Sequence, residues 1–160
     1  MSKISKLKLD SMDYAISKWM YSYGKPILRF SLAIIFIWFG YLKVILDSPA
    51  QELVANTVYW LDPEVFIPIL GIWEMLIGIF LCFRLTIRLA ILLLVLQMPG
   101  TFLPLVILPE VCFVKFPLIL SMEGQYIIKN LVLISAGIVI GGTLREKEMI
   151  SKKYTSADAG

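Results

Sequence analysis

The sequence contains no histidine. That absence excludes imidazole metal ligation, histidine-ligated haem and imidazole proton transfer. Cysteine is nearly absent too: Cys82 and Cys112 stand alone, form no CxxC pair and are separated by a predicted membrane crossing. A disulfide between them is therefore not expected, and each reads as an inert packing or loop residue. There is no glycine-rich phosphate loop, nucleophile triad or metal-ligand cluster, so the sequence predicts no bound metal. Charge is scarce, at 17% of residues, and it is gathered between long uncharged runs.

What fills the chain is apolar. With 59% hydrophobic residues and a mean hydropathy of +0.82 over 160 residues, the composition is that of a membrane protein with no room for a separate soluble catalytic domain. Four runs are long enough to cross a bilayer, at about 26–46, 67–83, 85–108 and 125–142. Pro26 suits a helix start, and Asp47-Ser48-Pro49 suits a stop. The basic residues Arg29, Arg84, Arg88 and Arg145 flank one set of span ends, while Asp47, Glu52, Asp62, Glu64, Glu110 and Glu123 occupy the other set, with Lys115 their one clear cation. By the positive-inside rule both termini face the cytoplasm. The net charge of +3 is then a topology signal, and no nucleic-acid partner is expected.

The expected architecture is an all-α integral membrane four-helix bundle. Residues 1–25 carry Ile4, Leu7, Met12, Ala15, Ile16, Trp19, Met20 and Tyr23 at roughly helical spacing among lysines, which suits an amphipathic helix on the cytoplasmic membrane face, with a partly disordered basic tail as the alternative. A short extracytoplasmic helix is expected after Ser48-Pro49, with Tyr59 and Trp60 at the interface. Residues 26–146 form the bundle and 147–160 a cytoplasmic tail. Pro99, Pro104 and Pro109 recur every five residues, so the third span should kink or unwind near Gln97-Met98-Pro99-Gly100, with Gln97 available to satisfy the break.

Polar residues inside the spans carry the functional argument. On the first span Arg29, Phe36 and Lys43 share a face with Ala33 and Gly40. Glu74 lies about 10 Å beyond Ile67 at 1.5 Å per residue, and Gly71 and Gly78 on its face would admit a neighbouring helix closely. Lys129 sits one turn beyond Gln125, with Asn130 on the adjoining face. Lys43, Glu74 and Lys129 can thus meet in the outer part of one bundle, because an unpaired charge at mid-membrane costs roughly 2.5 to 3.5 kcal/mol. A ligand or proton site and a buried ion pair that fixes helix register both fit this cluster. Trp38, Tyr41 and Trp73 suit packing or interfacial positions, and the lining of a ring-shaped ligand's pocket is the alternative.

RFSLAIIFIWFGYLKV (29–44), GIWEMLIGIFL (71–81), TFLPLVILPE (101–110) and FPLILSMEGQYIIKNLVLISAG (116–137) together resemble the DoxX-like four-helix inner-membrane proteins, and within them the YkgB, reactive-chlorine-resistance type branch. The resemblance spans 29 to about 146 and implies a bacterial cytoplasmic membrane protein whose polar signature comprises Arg29, Lys43, Glu74 and Lys129. It also implies a link, in part of the family, to quinone-coupled electron transfer. Three functions follow as expectations. One is an accessory, non-enzymatic membrane protein binding a small molecule or lipid through the polar cluster, without an intrinsic cofactor. Another is a subunit of a quinone-linked oxidoreductase, moving protons through Glu74 and Lys129 while a redox partner subunit supplies electrons. The third is a small-solute transporter. A homo-oligomer is compatible with all three.

Overall fold

The computed structural model describes residues 3–145, with side chains from Leu9 onward. The tail expected at 147–160, and the side chains of Ile4 and Leu7, lie outside that range. Among the described residues, four helices are long and apolar enough to cross a membrane, within Leu9–Val44, Pro63–Cys82, Ile87–Ile107 and Met122–Arg145. They pack as a helical bundle, and the chain is a multi-pass membrane protein by this measure.

The first helix corrects the sequence reading. α1 runs unbroken from Lys3 to Val44, through Pro26, so the segment expected to lie on the membrane and the first span are one helix. Pro26 removes only the bond to the carbonyl four residues back, on Ser22, and Ser22 is exposed, so water can take the freed acceptor. The helix stops at a C-terminal motif in which Asp47 N donates to Leu42 O at 2.9 Å and Leu46 N to Lys43 O at 3.2 Å. Leu46 closes that motif at φ 58°, a left-handed conformation that a side chain resists.

α2 (Gln51–Thr57) forms where the sequence placed a short helix. Ser48 Oγ accepts from Ala50 N at 3.3 Å just ahead of it, and Thr57 Oγ1 donates to Leu53 O at 2.6 Å at its end. Tyr59 and Trp60 follow, exposed, with their rings 5.0 Å apart. α3 (Pro63–Cys82) starts four residues ahead of expectation because Asp62 caps it, accepting from Glu64 N at 3.0 Å, and Pro63 takes the first helical position.

α4 (Ile87–Phe102) carries a second correction. It continues past Pro99, and the interruption falls at Leu103. Leu94, just before the expected break, and Met98, within it, are buried, and Thr101 Oγ1 donates to Gln97 O at 3.3 Å, so packing and a side-chain bond hold that turn. Pro104 and Pro109 instead each begin a new short helix, α5 (Pro104–Ile107) and α6 (Pro109–Cys112), where the missing N–H is harmless. A hairpin that the sequence reading did not anticipate follows, β1 (Phe113–Lys115) paired antiparallel with β2 (Ile119–Leu120).

The fourth span is a jointed pair. α7 (Met122–Ile128) is capped by Ser121 Oγ, which accepts from Gly124 N at 3.1 Å, and α8 (Asn130–Gly142) continues after a turn at Lys129. Asn130 Nδ2 donates to Ile127 O at 3.0 Å and Tyr126 O at 3.3 Å, so it supports its own chain at the joint.

α1 and α3 run antiparallel in close contact, with α4 and α8 completing the bundle. At the crossing, a Cβ added to Gly71 would stand 2.6 Å from the Gly40 carbonyl oxygen, so a side chain there would force the two helices apart. The resulting bundle has two unlike ends. Arg29, Arg84, Arg88 and Arg145 gather at one, where α3 turns into α4; α2, α5, α6 and the hairpin cover the other with the acidic residues.

Candidate functional site

The α1–α3 crossing explains why Lys43 and Glu74 meet. Side chains on a helix tilt toward its N-terminus, so on antiparallel helices Lys43 leans toward the bundle's middle and Glu74 leans back toward the loop-rich end. The two converge: the Lys43 ammonium donates to Glu74 Oε2, with the residues 5% and 7% exposed. Glu74 is eleven residues into α3, about 16 Å from its start at 1.5 Å per residue, so the pair sits deeper than the boundary counted from Ile67 suggested.

The second partner is Gln97. Its Nε2 donates to Glu74 Oε1 at 2.7 Å, so both carboxylate oxygens are engaged, one by α1 and one by α4. An ionised carboxylate only accepts, which fixes the amide with its nitrogen toward Glu74 and its oxygen away. That oxygen, Gln97 Oε1, is buried with no hydrogen-bond partner among the described residues. From sequence, Gln97 is available to satisfy the proline break; its isolation within the apolar stretch LAILLLVLQMPG is the signal that it needs a buried partner.

These groups face a cavity of about 290 Å³ between α1, α2, α3, α4 and α7–α8. Lys43, Glu74, Gln97, Tyr126 and Asn130 are among its polar side chains, while Phe36, Phe39, Leu70, Trp73, Leu96 and Leu133 supply apolar wall. Leu53, Val54 and Thr57 of α2 line it from the loop side. Trp73 is oriented by its Nε1, which donates to Leu93 O at 3.3 Å. A space this size, mostly apolar and with a few convergent polar groups, has the make-up of a small-molecule site.

Other expected members lie elsewhere. Lys129 is exposed at the joint between α7 and α8 and does not line the cavity; the turn that separates the two helices carries it outward, so its meeting with Glu74 is overturned. Gln125 is likewise exposed, and Asn130 reaches the cavity wall while bonding its own helix. Trp38 and Tyr41 face outward, whereas Trp73 lines the cavity. Of the break residues, Gly100 lines the cavity and Pro99 is exposed within α4. Arg84 and Arg88 are exposed at the basic end, and the Arg29 guanidinium lies 4.8 Å from the Phe30 ring centre. Arg88 and Arg145 border a shallower groove there with Gly141, Gly142 and Leu144. Cys112 is fully buried outside the spans, and its burial pushes the thiol above its ordinary range, with Glu123 adding to the effect.

Comparison with family models, curated proteins and solved structures finds no match to this chain.

Proposed function

We propose that the protein is a small-molecule-binding membrane protein whose cavity takes an amphiphile, polar head against Lys43, Glu74 and Gln97 and apolar body against Phe36, Phe39 and Leu96. The observation that carries this reading is the unpartnered Gln97 oxygen beside a fully engaged carboxylate. A buried amide oxygen without a partner costs about 1 to 3 kcal/mol, which a ligand's hydrogen-bond donor removes. Since Lys43 and Glu74 already neutralise each other, the head group that fits beside them carries no net charge. The proposal includes a bacterial cytoplasmic membrane with both termini inside, supported by the clustering of arginines at one end. It also includes membership of the DoxX-like family, supported by the ordered Arg29, Lys43 and Glu74 segments.

The test is a thermal-shift titration of detergent-purified protein with monoacylglycerols and short-chain quinones. Wild-type protein gains stability with added ligand, and Leu70→Trp, which fills the cavity, loses the response. An equal response in both proteins sinks the reading.

A second reading is favoured by the aromatic lining of Phe36, Phe39 and Trp73. It makes the ligand a quinone and Glu74 its proton partner within a larger redox complex, with Lys43 and Gln97 in the positions assigned to Lys129 from sequence. Glu74→Gln then abolishes quinone reduction in the assembled complex; full activity in that variant ends this reading.

A further inference from the structure

α1 is longer than a membrane crossing requires. From Leu9 to Val44 it has 36 residues, about 54 Å at 1.5 Å per residue, against a hydrocarbon core of about 30 Å. Lys43 is buried in the bundle at the far end, so the excess emerges on the N-terminal side. Because the helix continues through Pro26, this excess extends the span and does not fold back onto the bilayer surface.

The protruding part carries Leu9, Met12, Ile16, Trp19 and Tyr23, all 51–61% exposed. Their spacing alternates three and four residues, the a/d series of a heptad repeat, whose 3.5-residue period keeps one narrow seam against a partner helix. Asp10, Ser17, Lys18 and Lys25 fall away from that seam. In the sequence, Lys8 precedes Asp13 by five residues, the offset at which opposite charges at g and e positions meet across a parallel pair of strands. Copies inserted with the same topology present this segment in parallel.

We propose that residues 9–23 form a parallel two-stranded coiled coil with the same segment of a second copy of this chain. Two heptads are short for an isolated coiled coil, but confinement of both copies to one membrane raises the effective concentration of the second strand. The seam is separate from the cavity, and its pairing stands or falls independently of ligand binding.

Disulfide cross-linking of the full-length chain in membranes tests it, with single cysteines added as Met12→Cys, Ile16→Cys, Ser17→Cys or Lys18→Cys and the wild-type chain as background. Oxidation is expected to give several-fold more dimer at positions 12 and 16 than at 17 and 18. Adding Ile16→Asp to Met12→Cys is expected to lower its yield several-fold. Equal yields at all four positions, no dimer at any, or a Met12→Cys yield indifferent to Ile16→Asp each overturn the proposal; a stripe held flat on lipid gives the second of these results.

Discussion

The two halves of the bundle are built from the same four helices and solve the membrane differently. Toward the basic end, Leu32, Ile77, Leu81, Ile87, Leu94 and Ile140 close on one another as a dry core. Toward the loop-rich end, the helices carry Lys43, Glu74 and Gln97 around open space. The basic half is held by apolar contact, the loop-rich half by hydrogen bonds that join α1, α3 and α4 through Glu74. The polar triple leaves the Gln97 oxygen without a partner beside open space, and the proposed ligand is what would satisfy it.

The largest expected effect comes from splitting the pair. Lys43→Met leaves Glu74 buried and unpaired and is expected to cost about 3 to 5 kcal/mol, while Lys43→Met combined with Glu74→Leu recovers most of the loss. Thermal unfolding of the purified proteins measures both; a double variant as unstable as the single one would show that the pair itself holds the bundle together. In the dry half, Leu94→Ala is expected to lose about 3 kcal/mol by cavity formation and leave ligand response intact. A lost ligand response there would erase the distinction between the halves. Gly71→Ala drives a methyl into the Gly40 carbonyl and should cost about 1 to 3 kcal/mol, with the same unfolding assay as the check. The smallest effect has the opposite sign: Leu46→Gly relieves a left-handed leucine at the end of α1 and should add about 1 kcal/mol.

Much of this difference was legible from sequence. The spans follow from hydropathy, the short α2 helix from its turn residues, and the Lys43–Glu74 meeting from small residues flanking Glu74 on its helix face. What escaped were features decided by tertiary contact. Pro26 and Pro99 look like helix ends locally, yet one freed carbonyl reaches solvent and the other turn is held by Leu94, Met98 and Thr101. Lys129 has the right spacing for the cluster only if the fourth span is one helix, and the joint at that residue turns it away. Gln97 was visible as a polar residue in an apolar run, but its partner depends on how α4 rotates against α3.

Photolabelling with an alkyl amphiphile carrying a diazirine, followed by peptide mapping of the purified protein, tests the central claim most directly. Saturable adducts on residues 96–101, 53–58 and 126–133, suppressed by Leu70→Trp, are the predicted result. Adducts spread evenly over the outward faces of all four helices, and unchanged in that variant, would contradict it.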